Sequence, residues 1–353
     1  MEDGQGVENC ESRTDRRSRT RLIAILLVPA LWLTGCRLAE REMADHTPQG
    51  CATCHVAIAQ QWEESAHASA WTNPQFVERT SQHRRPQCLP CHASAPLLER
   101  PPGEPPQLRA EQRESGVDCS VCHQRGCGYA GPYRSHLGPH PAEQDTTRLP
   151  CSAFCGICHQ QEHQEYAALY VPVANTGDAK QCVQCHMPTE RARLTQAHLL
   201  SYVHPKRITH DHTFPVWTAR VTAGTVEIGD PTVVWRSPTE VDVRFLLTNR
   251  GAGHRIPSGA FGHRTLRIAV ELLDRHGQPI GQKEKSLFAG QQDCLAPGRS
   301  VPFTLVATVP EREQPLQARL LVERVNRDRS FRFTLAELTW PVKMQARASD
   351  IGQ

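Results

Sequence analysis

Cys51-Ala-Thr-Cys54-His55 opens a stretch in which one short pattern returns four more times. The other copies are Cys88-Leu-Pro-Cys91-His92, Cys119-Ser-Val-Cys122-His123, Cys155-Gly-Ile-Cys158-His159 and Cys182-Val-Gln-Cys185-His186. Cys-x-x-Cys-His is the attachment signature of c-type haem. The two thiols add across the two vinyl groups, and the adjacent His stands under the iron as proximal ligand. A thioredoxin-like Cys-x-x-Cys pair occurs once, beside a βαβ pattern, and needs no His after it. A zinc shell built from the motifs leaves five identical C-terminal histidines without a reason. The expectation is five covalently attached haems, with His55, His92, His123, His159 and His186 on the irons.

The motifs start 37, 31, 36 and 27 residues apart. So much cofactor on so little chain leaves few residues for an ordinary side-chain core. The porphyrins are expected to be the core, joined by short helices and Pro-rich loops such as Arg100-Pro-Pro-Gly-Glu-Pro-Pro106. The spacing is too uneven for a solenoid repeat.

Near residue 215 the chain changes character. Residues 216–345 hold no haem motif and read as alternating strands: 240–248, 265–272, 301–308, 318–323 and 331–336. Turn signals at His276-Gly277 and Pro297-Gly298 separate them. About seven short strands suggest an immunoglobulin-like sandwich. The fold class is a mainly α and loop multihaem domain over 49–215, an all-β sandwich domain over 216–345, and a tail over 346–353. For the β-domain the plain role is a lid or a docking module.

Haem is attached outside the cytoplasm, so an export signal is expected. Arg13, Arg16, Arg17, Arg19 and Arg21 form a basic n-region, and Leu22 to Leu33 an apolar h-region. That run falls short of the about 20 residues a spanning helix needs. It ends Leu33-Thr34-Gly35-Cys36, similar to a bacterial lipobox. This implies a signal peptide over 1–35, acylation of Cys36 and a tether over 36–48; an ordinary secretory signal is the alternative. Position 37 is Arg rather than the Asp of inner-membrane retention. A periplasm-facing lipoprotein is therefore expected, at the outer membrane where the host sorts lipoproteins this way.

The formal charge of +3 omits the cofactors. Two propionates on each of five haems would add up to about ten negative charges. No basic run after residue 41 points to nucleic acid.

The second axial ligand should be His. The chain has 4 Met, and Met187 adjoins a proximal His and cannot cross its own haem. Thirteen of the 18 His lie outside the motifs, enough for bis-His ligation throughout. His67, in Trp62-Glu-Glu-Ser-Ala-His67-Ala, reads as lying on a helix running from the first motif. Twelve helical residues span about 18 Å, so His67 should serve a neighbouring haem rather than its own. One of His136 and His140, between the third and fourth motifs, is expected to ligate. After the last motif, His212 is favoured over His210. His254, in Gly251-Ala-Gly-His254, is either a ligand brought close by glycines or part of a strand-ending turn. His83, His163, His198 and His204 are reserves. Cys127 and Cys151 flank one inter-haem segment and could pair in an oxidising compartment, leaving Cys294 odd.

These motifs, with Trp62-x-x-Ser-x-His67-Ala68, Gly116-Val-Asp-Cys119, Phe154-Cys-Gly-Ile-Cys-His-Gln160, Cys185-His-Met-Pro188 and His212-Thr-Phe214, resemble the cytochrome c-554 and hydroxylamine oxidoreductase-like superfamily. The likeness covers roughly residues 50–260, including Gly-Ala-Gly-His-x-x-Pro in a C-terminal β-domain. It implies closely stacked haems passing electrons along a chain. The sequence departs from cytochrome c-554 in carrying five motifs rather than four. It also lacks the Cys-x-x-Cys-Lys motif of pentahaem nitrite reductases. The expected function is electron transfer, with redox proteins or a membrane redox complex as partners. The alternatives are an oxidoreductase acting on a small nitrogen or oxygen compound at one five-coordinate haem, and a haem subunit docking a larger membrane complex.

Overall fold

The computed structural model describes residues 47–135, 139–172, 179–196, 201–202, 204–216, 224–259, 264–311, 315–326 and 331–342. The signal segment, Cys36, most of the tether, His136, His198 and residues 346–353 lie outside the described residues. No described helix is long and apolar enough to cross a membrane.

The chain divides into two compact units. The first joins the region up to Pro150 with Thr189–Phe214; the second joins Cys151–Pro188 with the chain from Pro215. The expected haem domain, 49–215, is thus shared between them. Its first three motifs lie in the first unit, and the last two cluster with the strands.

The first unit is built from short helices: α1 (Pro48–Ala52), α2 (Val56–Glu63), α3 (Pro74–Arg79), α4 (Leu89–His92) and α5 (Cys119–His123). Short strands join them: β1 (Gln124–Arg125), β2 (Gly128–Gly131), β3 (Ala142–Gln144), β4 (Thr189–Ala192) and β5 (Arg207–His210). β1 and β2 pair antiparallel, β2 and β3 parallel, and β4 and β5 antiparallel. The apolar cluster here is small: Trp71, Leu89 and Ala93 are buried, with Phe76 and Leu108 against them.

One local expectation is corrected. The helix after the first motif does not reach His67. It ends at Glu63, because Ser65 Oγ donates to Trp62 O (2.6 Å) and accepts from Ala68 N (3.3 Å). A serine hydroxyl here takes over backbone bonds that a continuing helix needs.

The second unit begins with α6 (Ser152–Gly156), α7 (Gln160–Glu165), a π-helical turn (Tyr166–Tyr170) and α8 (Cys182–His186). Seven strands follow: β6 (Val226–Trp235), β7 (Glu240–Asn249), β8 (Arg264–Leu273), β9 (Pro279–Phe288), β10 (Ser300–Thr308), β11 (Gln317–Asn326) and β12 (Arg332–Pro341). They form two antiparallel sheets, ordered β10-β7-β6 and β12-β11-β8-β9. Strand alternation puts Val241, Val243, Phe245 and Leu247 of one sheet into a single core with Leu266, Ile268, Val270 and Leu272 of the other. Gly277 and Gly298 take φ of +73° and +68°, which suits glycine at both turns.

The two strands with no clear pattern in the sequence are edge strands. β6 is interrupted by a bulge between Gly229 and Thr232. β9, Pro-Ile-Gly-Gln-Lys-Glu-Lys-Ser-Leu-Phe, is mostly exposed and pairs in its sheet with β8 alone. Charges on such an edge discourage pairing with another chain.

Candidate haem-binding sites

The first and fourth motifs turn their thiols to one side by the same device. In the first, Cys51 O accepts from Cys54 N (3.2 Å) and His55 N (2.9 Å). In the fourth, Cys155 O accepts from Cys158 N (3.2 Å) and His159 N (3.0 Å). Residues three apart on a helical turn share a face, as two thioethers to one ring require.

The third motif is the most firmly held. Asp118 caps α5, its Oδ1 accepting from Ser120 N (3.1 Å), Val121 N (3.4 Å) and Ser120 Oγ (2.6 Å). Its Oδ2 accepts from Arg109 Nη1 (2.6 Å) and Ser115 Oγ (2.8 Å). Arg109 Nη2 then ties down Gly116 O (2.8 Å). Gly116 sits at φ +63°, where an added Cβ would strike the carbonyl oxygens of His67 and Ala68. The fourth and fifth motifs are laced together: Gln181 Oε1 accepts from Ser152 N (2.8 Å) and Ser152 Oγ (2.7 Å), while Cys182 N donates to Ser152 Oγ (3.0 Å).

Thiols of different motifs also meet. Cys51 and Cys119 share a hydrogen bond, which lowers the first thiol and raises the second. Cys155 and Cys182 share another, which holds Cys182 at about 6. The first and third attachment points are therefore neighbours in the first unit, and the fourth and fifth in the second.

Three pairs of histidine rings face each other. The ring centres of His55 and His140 are 6.3 Å apart, those of His123 and His212 6.2 Å, and those of His186 and His254 6.3 Å. One iron between two imidazoles needs about 4 Å between nitrogens and roughly 1 Å more to each ring centre, about 6 Å in all. The spacing fits a haem iron in each pair.

The protonation pattern fits too. The Nδ1 of His55 lies 2.7 Å from Leu194 O, that of His92 2.7 Å from Ala70 O and that of His123 2.7 Å from Ala130 O. On the opposite side, His212 Nδ1 lies 2.8 Å from His210 O and His254 Nδ1 2.9 Å from Arg255 O. His140 Nδ1 makes a longer contact, 3.2 Å, with Pro141 O. A carbonyl can only accept, so Nδ1 carries the proton and Nε2 keeps the lone pair for a metal. Burial holds His55, His123 and His159 below the usual imidazole range and pushes His186 and His212 to about 4. Buried neutral imidazoles of this kind are ready ligands.

The other expected ligands are placed differently. His67 stands edge-on to Phe214 at 4.3 Å, and its carbonyl accepts from Val117 N (2.9 Å). His92 has Phe76 stacked on its face at 3.6 Å. His83 uses its Nε2 on Trp71 O (3.1 Å) and stacks on the Trp71 ring at 4.0 Å, an arrangement that packs a core rather than offers Nε2 to a metal. His163 fills the space over Gly156, where a Cβ would sit 2.5 Å from His163 Cγ. The glycine at 253 gives close approach to Tyr166 and Tyr170. The expected Cys127–Cys151 bridge is not formed: Cys151 is a free thiol.

The carbonyl partners, the Asp118–Arg109 clamp and the Ser152–Gln181 link went unread in the sequence. Only Asp118 left a signal there, as an N-cap type directly before a helix-forming motif.

Residues 50–124 match the family model described as cytochrome c554 and c-prime. The solved penta-heme cytochrome c552 from Thermochromatium tepidum aligns at TM-score 0.51 and 14% identity, over 83% of this chain and 97% of that one. Together they support a multihaem c-type cytochrome. The chain also aligns with the putative ApaA protein from Bordetella pertussis, at TM-score 0.21 and 19% identity over 34% of this chain and 94% of that one. A glycosyl hydrolase family 2 member from Bacteroides cellulosilyticus aligns at TM-score 0.21 and 13% identity, over 31% and 13%. Scores of that size carry no argument about function. No curated protein matches.

Proposed function

We propose that the chain is an exported pentahaem electron-transfer cytochrome, anchored by a lipid on Cys36. The observation that carries the reading is the set of three close histidine pairs, in which five of the six rings have Nδ1 beside a carbonyl. Each bound haem would supply a one-electron iron couple. The chain's own residues fix the rest. His55 with His140, His123 with His212 and His186 with His254 would close both faces of an iron, leaving no position for substrate. That favours electron transfer over catalysis at these three sites. The Cys51–Cys119 and Cys155–Cys182 contacts would bring haem edges together in pairs, which suits electron hopping.

His67 is the proposed ligand of a haem other than the one on Cys51 and Cys54. The irons on His55 and His123 would be closed by His140 and His212, so in its own unit the haem on Cys88 and Cys91 is the one left for it. For the β region, the three-plus-four strand order over one core supports an immunoglobulin-type sandwich.

Intact mass and EPR of the mature holoprotein test the reading together. Five added haem masses are expected, with low-spin signals from at least three bis-His sites. His254→Ala should convert one haem to high spin and open it to carbon monoxide. Three or fewer haems, or an unchanged low-spin count in His254→Ala, would overturn it. Cys36→Ser should release the protein from membranes.

A further inference from the structure

Two thiols from different motifs of the second unit touch. Cys155 stands on α6 and Cys182 opens α8, 27 positions further along the chain. Cys182 hydrogen-bonds to the Cys155 thiol, whereas between Cys182 and Cys185 of its own motif the interaction is one of charge.

The backbone that carries the two sulfurs is fixed by contacts that no porphyrin supplies. Ser152 N and Oγ both donate to Gln181 Oε1 (2.8 and 2.7 Å), and Cys182 N donates to Ser152 Oγ (3.0 Å). Further along, Glu165 accepts from Arg255 N (3.0 Å) and Ser258 Oγ (2.9 Å), which ties this segment to the strands. The core of the strands is made of apolar side chains. The other touching pair, Cys51 with Cys119, lies in the first unit, where the apolar cluster is small.

Haem adds to thiols, so both cysteines must reach the exported compartment as thiols, and disulfides form readily there. Held at about 6, Cys182 is mainly thiolate at neutral pH, the form that attacks a disulfide.

We propose that, before haem is attached, Cys155 and Cys182 join as a disulfide that closes the fourth and fifth motifs until a thiol reductant reopens them. This rests on the haem-binding reading above, since the thiols it joins are those that haem would take. The Cys182 sulfur attacks the disulfide of an exported thiol oxidase and releases one of its sulfurs. Cys155 then displaces the other. One S–S bond forms between the motifs, and two electrons pass to the oxidase, whose sulfurs end as thiols with the two protons the cysteines gave up. Each motif then lacks one of its two sulfurs for thioether bonds, and two electrons from a reduced dithiol restore both. In an unfolded chain, loop closure favours a bond three positions apart over one 27 apart, on the order of tenfold or more. Contacts in the fold must reverse that order.

The test is disulfide mapping in the full-length chain, exported by cells that lack haem-attachment enzymes. Acid quenching, alkylation and tryptic digestion without reductant precede mass spectrometry. Cleavage after Arg148, Lys180 and Arg191 leaves Cys155 and Cys158 on one peptide, 149–180, and Cys182 and Cys185 on another, 181–191. A bond between the motifs joins the two peptides; bonds within them leave the peptides separate. The joined species should predominate in soluble and pelleted chain alike, against a bias of roughly tenfold in the unfolded chain. It should vanish in Cys155→Ser and persist in Cys158→Ser, which also distinguishes it from a bond to Cys151. Chain oxidised in concentrated guanidinium chloride should give separate peptides. Separate peptides or fully alkylated cysteines from the exported chain would overturn the proposal. So would a joined species that survives in Cys155→Ser, or one formed equally well in denaturant. The haem reading is read out separately: five haem masses in the matured protein, with no cross-link in the precursor, would keep that reading and discard this one.

Discussion

The haem-bearing first unit and the strand-bearing part of the second hold themselves together by opposite means. Among the described residues, twenty buried side chains from both sheets and the segments beside them form one apolar cluster. In the first unit, the comparable cluster has three buried members. What the first unit has in place of apolar bulk is a set of polar clamps at its motifs, such as Asp118 with Arg109. The contrast teaches where stability sits. Buried apolar area orders the strands, whereas the first unit has little of it and is arranged around its Cys-x-x-Cys-His motifs, as a core of porphyrins would require.

The severest way to break this comparison is to remove one haem. Cys119→Ala with Cys122→Ala should lower the intact mass by one haem and leave the first unit open to proteolysis. Fragments covering the strands should survive. If the first unit stays as protease-resistant as wild type, the porphyrin is not its core.

Removing a clamp comes next. Asp118→Ala strands Arg109 and uncaps α5, both nearly buried. Breaking such a pair costs about 3–5 kcal/mol. Denaturant melts followed at the Soret band should show the loss. Asp118→Asn should recover part of it through the cap alone.

A matched cut in the other region sharpens the contrast. Leu320 is fully buried in β11. Leu320→Ala should cost about 2–5 kcal/mol by loss of burial and a residual cavity. All five haems should remain by pyridine haemochrome assay. Haem loss in this variant would mean that the two regions do not stabilise themselves separately.

The smallest effect is expected at Cys151, whose thiol is free. Cys151→Ser should change stability by less than about 0.5 kcal/mol. A larger drop that reducing agent reproduces in the wild type would reinstate a bridge to Cys127.

Sequence legibility differs between the two regions for physical reasons. In β10 and the first half of β11, alternation of more and less buried residues is imposed by the pleat and can be read locally, while β7 and β8, each flanked by a strand on both sides, are buried along most of their length and read as apolar runs. β9 escaped because an edge strand exposes nearly all its side chains, and β6 because Gly229 and its bulge break the period. The helix expected to reach His67 failed at Ser65, where one hydroxyl competes for the backbone. Two hydrogen bonds at Glu165 decided a larger matter. Its carboxylate accepts from Arg255 N (3.0 Å) and Ser258 Oγ (2.9 Å), tying the segment after the fourth motif to the strands rather than to the first three motifs.

The sequence by itself singled out the expected attachment residues, since thioether chemistry needs two thiols and a His at fixed local spacing. It also led to the expectation of histidine as second ligand, because Met is scarce. Only the tertiary structure decided which histidine faces which. His140 stands opposite His55, His212 opposite His123 and His254 opposite His186, partners separated by 85, 89 and 68 positions along the chain. No local pattern encodes such a pairing, for it is set by where loops and strands bring the rings. The carbonyls of Leu194 and Ala130 that fix the tautomers belong to the same class, because any residue can supply a backbone oxygen and only the fold can aim it.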